Sequence, residues 1–204
     1  MKATALLQAI YTMGLVNYPN EARKWVNVMN TLGVVAGRAH SLSVSEVSKL
    51  DLMLRQLEQE HLEEIIGPEK QFSFATDLIC TLSDSWLLAS YEPIRAACEQ
   101  TRTRKEPYER LDSFHRRLAL VRIPIAKAEI KDAQRLKPTL MLYPIGDGDD
   151  NSGKLYAHDG SYIVPKGVCA ETGATVWYPI DLKTQKTVAI CRRDLSDEFL
   201  GLFD

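Results

Sequence analysis

Residues 72–98 read FSFATDLICTLSDSWLLASYEPIRAAC, a run in which only Asp77, Asp84, Glu92 and Arg95 carry formal charge. At 3.6 residues per turn this is about seven turns of helix, and a helix so poor in charge needs neighbours around most of its circumference. It predicts the central rod of an α-helical bundle. Pro93 lacks an N–H and crowds the carbonyl four residues back, so a kink is expected near 89–93.

Upstream, Leu6, Ala9, Ile10 and Met13 recur at helical spacing and predict a short helix ending near Gly14, with a strand as the alternative. Asn20 is placed to cap a second helix, whose apolar stripe is Trp25, Val28, Met29, Leu32, Val35, Ala36 and Ala39. Gly33 and Gly37 fit a close approach of another backbone. A polar break at 41–45 precedes a third helix, capped by Ser45 and running to Ile66, with Leu50, Met53, Leu54, Leu57, Leu62 and Ile65 on its inner face. Its acidic end (Glu58, Glu60, Glu63, Glu64) reads as a solvated face.

Downstream, Pro107 suits the first turn of a helix presenting Leu111, Phe114, Leu118, Val121, Ile125 and Ala128. Glu106 with Arg110, and Asp112 with Arg116, are spaced as i,i+4 pairs. After Pro138 the period becomes strand-like. Strands are expected at 139–144, 154–157, 161–164, 174–180 and 187–192, then a short helix over 195–203 behind Asp194 or Ser196. The expected fold is therefore mainly α: a four- or five-helix bundle over 1–137, then a small antiparallel β lobe with a short C-terminal helix over 138–204, packed on the bundle.

With 204 residues, net charge −2 and a pI near 6.1, the surface as a whole does not suit non-specific nucleic-acid binding. The charge is unevenly spread, however. Residues 95–122 hold eight basic side chains against four acidic ones, and Arg102, Arg104, Lys105, Arg116 and Arg117 form a basic elbow fit for an acidic protein partner or RNA. Cys80, Cys98, Cys169 and Cys191 lack C-x-x-C spacing, and the first two lie about 27 Å apart along one helix. Reduced thiols in a cytoplasmic protein are expected. Residues 1–16 make a poor signal peptide and are too short to span a membrane, so no membrane partner is expected.

Glu58 with His61, and Asp112 with His115, each place a carboxylate and an imidazole on one helix face, as di-metal bundles do. Their depths would differ by about 22 Å, so no metal or other cofactor is expected. Residues 147–153 resemble a calcium loop, but Ser152 and His158 stand where the turn glycine and bidentate glutamate belong, so they read as a hairpin loop. Tyr156, Tyr162, Trp177 and Tyr178 suit a packing face of the small sheet. On the central rod, Asp84, Tyr91, Glu92 and Arg95 continue a sparse polar line from Asp77 and Thr81, read as a buried network or a cleft floor.

Arg110-Leu-Asp-Ser-Phe-His115 resembles the arginine–histidine signature of the HEPN superfamily, helical-bundle proteins of which many are dimeric, metal-independent endoribonucleases. Leu111 stands where those proteins often carry a polar residue. The resemblance implies that His115 moves protons during attack of an RNA 2′-hydroxyl and that Arg110 holds the scissile phosphate. Imidazole titrates near neutrality and guanidinium matches phosphate oxygens, so both residue types suit that chemistry. With no nucleophile elbow or phosphate loop in the chain, the leading expectation is a non-enzymatic regulatory or interaction protein, self-associating as a homodimer. The HEPN-like ribonuclease is the alternative.

Overall fold

The computed structural model describes residues 2–66, 75–106, 108–135, 140–142 and 153–203, and its long helices come first in the chain. The first helix, α1 (Ala3–Asn17), continues through Gly14 because that glycine is where it meets its neighbour. A Cβ there would lie 2.5 Å from the carbonyl oxygen of Leu52. Next, α2 (Pro19–Val35) begins on Pro19, whose fixed φ suits the first helical position, so Tyr18 and not Asn20 is its N-cap. It buries Trp25, Val28 and Leu32.

Gly37, at φ 107°, turns the chain into α3 (Arg38–Ile66). The polar break expected at 41–45 is absent, and the helix starts well before Ser45. Two of its serines find backbone acceptors: Ser41 donates to the Met29 carbonyl of α2 at 3.1 Å and Ser48 to that of Ser45 at 2.8 Å. The inner face also differs from expectation. Val44, Val47, Asp51, Leu54, Arg55 and Glu58 are buried, while Ile65 is exposed. Glu58 is thus not part of a solvated acidic end.

The rod is α4 (Ala75–Thr103), unbroken through a buried Pro93 and burying Ile79, Trp86, Leu87 and Ile94. Residues 72–74 of the expected rod, Pro107 and the loop over 147–152 lie outside the described residues. The following helix, α5 (Glu109–Lys127), buries Leu111, Phe114, Leu118 and Val121 as its spacing predicts, and ends on Ala128 at φ 53°.

Among the described residues seven short strands follow: β1 (Met141–Leu142), β2 (Lys154–Leu155), β3 (Lys166–Val168), β4 (Thr175–Trp177), β5 (Ile180–Asp181), β6 (Lys186–Thr187) and β7 (Ile190–Cys191). All pair antiparallel, β1 with β2, β5 with β6, and β4 between β3 and β7 with Trp177 opposite Lys166 and Ile190. Residues 161–164 carry no strand. The last helix, α6 (Arg192–Leu200), starts earlier than expected behind Cys191, so Arg192 belongs to its first turn and not to a strand. Phe199 packs on Trp25 and Phe114 with ring centroids 5.1 and 5.3 Å apart. Hence α6, Trp177 and Ile190 share one apolar core with α2, α4 and α5. Among the described residues the chain is mainly α, with six α-helices, small antiparallel strands and a short C-terminal helix. No described helix is long and apolar enough to cross a membrane.

Candidate functional site

The largest concentration of buried charge lies between α3 and α6. Asp51 accepts from Trp25 Nε1 and Arg55 Nε at 2.8 Å each, from Ser196 Oγ at 2.6 Å, and from Arg192 Nη1. Glu58 takes Arg192 as a fork through Nε at 2.6 Å and Nη2 at 2.5 Å, and Arg193 Nη2 at 2.7 Å. Arg55 also reaches Asp197 at 2.5 Å. Three carboxylates thus meet three guanidinium groups, and no charge is left over to attract a ligand. This is a staple between the helices, because charges taken out of water persist only when paired and fully hydrogen-bonded.

Burial raises the Asp51 carboxyl pKa, but Arg192, Arg55 and the Ser196 hydrogen bond outweigh it and hold the group down to about 2, from an ordinary 3.8. Its ionised form therefore favours folding. That contribution, about 2 kcal/mol, is complete above the ordinary value and is lost as pH falls from about 4 to 2. Urea melts across that window should show the wild type losing this increment, whereas Asp51→Asn, already weakened at neutral pH, should lose correspondingly less. Parallel profiles for the two proteins would remove Asp51 as the source.

Arg110 and His115 engage different neighbours. Arg110 Nη2 donates to the Gly201 carbonyl at 2.7 Å, at the end of α6. The His115 ring stacks on Tyr91 of α4 at 5.1 Å, and Arg122 covers the same tyrosine at 5.0 Å. Five residues along a helix turn the chain by roughly 140°, which places the two side chains on separate faces. Burial and the charges of Arg102, Arg95 and Lys131, opposed by Asp112, hold the His115 pKa below its ordinary value.

The polar line on α4 is not buried as a unit. Glu92 is exposed and pairs with Arg95 at 2.8 Å, at the solvent edge of the helix. Tyr91 is half-buried. Asp84 is likewise only half-buried and is engaged by Lys166 Nζ at 2.5 Å and Trp177 Nε1 at 2.9 Å, so it ties the rod to β3 and β4. The two carboxylate–histidine pairs are occupied by other partners. Glu58 is held by arginines, His61 Nε2 lies 2.8 Å from Thr76 Oγ1, and Asp112 pairs with Arg102 at 2.5 Å in place of Arg116.

The basic elbow divides into parts. Arg102 is neutralised by Asp112, and Arg117 by Glu198. Arg104 touches the Val35 carbonyl at 3.4 Å, and Lys105 is exposed at φ 59°. Arg116 is set apart from these in an open cleft of about 230 Å³, with Lys131, Arg135 and Lys183 and with Leu120 and Leu182 alongside. Three elements build the cleft: α5, the turn after it with the 3-10 segment Ala133–Arg135, and the β5–β6 hairpin. Asp132, also in the cleft, sits at φ 64°; Lys131 bonds to it, and that bond with the charges of Lys131, Arg135 and Lys183 holds its carboxyl below the usual range. Asp181 Oδ1 accepts the Lys183 backbone N–H at 2.9 Å. Four cations against two carboxylates leave an excess of two positive charges. The Arg116 guanidinium and the Lys183 ammonium have no hydrogen-bond or ion-pair partner among the described residues.

No protein-family model, curated protein or solved structure matches the chain.

Sequence reasoning singled out Arg116 but missed Lys131, Arg135 and Lys183, which lie in irregular segments where spacing carries no direction. It missed Asp51, Arg55 and Arg192 because their charges suggest solvent. A signal existed for the first two: they continue the helical spacing of Val44, Val47 and Leu54, so an apolar face runs into an i,i+4 ion pair. Among the described residues no three His, Cys, Asp or Glu side chains converge as metal ligands.

Proposed function

We propose that this is a non-enzymatic interaction protein whose cleft at Arg116, Lys131, Arg135 and Lys183 receives an acidic segment of a partner protein. The supporting observation is that two of those cations lack a side-chain hydrogen-bond or ion-pair partner among the described residues while lining one opening beside Leu120 and Leu182. A guanidinium takes a carboxylate through two parallel hydrogen bonds and an ammonium adds a point charge, while the leucines accept an apolar neighbour in the same segment. Arg104 and Lys105 add attraction at longer range. The ribonuclease alternative draws no support from Arg110 and His115, whose side chains face different helices.

The test is titration of a fluorescein-labelled peptide of alternating Glu and Leu into wild type and into Arg116→Glu/Lys183→Glu. Binding that weakens with salt and falls at least about tenfold in the variant is expected, because both contacts reverse sign. Equal affinity in the two proteins would overturn the assignment. Incubation of the wild type with single-stranded RNA in EDTA decides the alternative: cleavage lost in a folded His115→Ala protein would replace the binding reading.

A further inference from the structure

A second surface, distant in sequence from the cleft, is conspicuous for lacking charge. Residues 3–20 contain no Asp, Glu, Lys, Arg or His, and α1 buries only Gly14 completely. Thr4, Gln8 and Thr12 give it some polar surface, but the side turned away from α3 also carries Ala5, Ala9, Met13 and Val16 at helical spacing, all exposed, Val16 at 71%. Leu6 and Leu7 extend this surface at one end. At the other end, Leu15 and the exposed Val26 edge an open groove of about 390 Å³ among α1, α2 and α3, where Arg23 and Lys49 mark the limit of the uncharged surface.

We propose that a second copy of this chain covers this face, with α1 packed against α1 about a two-fold axis. The exposed parts of these side chains amount to a patch on the order of 500 Å², near the upper end of what a monomer leaves uncovered. Doubled across the axis, it gives about 1,000 Å², the size at which specific interfaces begin. A two-fold interface brings one surface against itself, so every charge on it meets a like charge; a face without charge avoids that conflict. The same feature disfavours a charged partner, which would find no ion pair on α1 itself. Ala5 and Ala9 let two helix backbones approach closely, and the antiparallel arrangement sets opposite dipole ends side by side.

Light scattering on the eluting full-length protein reads the mass directly. Wild type is expected at twice the chain mass of 23.0 kDa, falling to the single-chain mass on dilution. Ala9→Glu/Val16→Glu, with both substitutions on the exposed side, is expected at the single-chain mass at every concentration. Ile163→Glu, at a residue 83% exposed on the β lobe, is expected to behave as wild type, with the helical circular dichroism of all three proteins equal. A wild type monomeric throughout, or an α1 variant that pairs as strongly as wild type, overturns the proposal. So does a monomer that floats with neutral phosphatidylcholine vesicles, which would identify lipid as the cover.

Discussion

Arg192→Met is expected to destabilise the protein by about 3 to 5 kcal/mol, because it leaves two wholly buried carboxylates short of their shared partner. Among the described residues, Arg192 is the only group that touches both Asp51 and Glu58. Its guanidinium also lies 5.6 Å from the Trp86 ring centre, so three hydrogen bonds and a cation–π contact vanish together. The urea midpoint should fall by roughly 1 to 3 M. Arg192→Lys keeps the charge but cannot form the fork on Glu58, and it should lie between the two. The companion experiment replaces Asp51, Glu58 and Arg192 together by apolar residues of similar volume. That triple change is expected to recover much of the loss, since a buried ion network contributes specificity more surely than net stability. A single Arg192→Met variant with a wild-type midpoint would mean that the carboxylates find water or protons instead.

Gly173→Ala should be the most damaging of the small substitutions. Gly173 adopts φ +70°, and a Cβ there would stand 2.1 Å from the Glu58 carbonyl oxygen and 3.2 Å from Leu62 Cβ. The left-handed backbone costs an alanine about 1 to 2 kcal/mol, and the overlap with a helix carbonyl, which no rotamer change relieves, adds roughly 1 to 3 kcal/mol. The expected fall in Tm is about 5 to 15 °C. Gly160 supplies the control, with φ +72° and nothing within 4 Å of its Cβ position. Gly160→Ala isolates the backbone contribution. If both variants melt together, the loop before β4 does not press on α3.

How much of this was legible in the sequence follows from what sets each feature. Helices α2, α4 and α5 announce themselves through apolar spacing, and Trp25, Val28, Leu32, Leu111, Phe114, Leu118 and Val121 are buried as that spacing requires. The stripe on α3 was misplaced by part of a turn, because Leu50 and Met53 outrank Asp51 and Arg55 on any hydrophobicity scale. The residues that reverse the ranking, Arg192 and Ser196, lie more than 130 positions away. The cleft was half-legible for a related reason. Arg116 sits on a helix whose face can be counted, but Lys131 and Lys183 acquire a direction only from the turns that carry them. Arg110 and His115 share a six-residue motif, and the same helical geometry that puts them close in sequence turns them apart in space.

The separation of Asp51 from Arg192 by 141 positions also orders events during synthesis. At about 5 to 20 residues per second, Asp51 and Glu58 wait for seven seconds or more after they are made before their arginine exists. Through that interval Asp51 already has Arg55 and Trp25 within reach, whereas Glu58 lacks both of its arginines. The Trp25 and Phe114 rings likewise lack the Phe199 ring that covers them in the finished fold. Completion of the α3 seam therefore has to await α6.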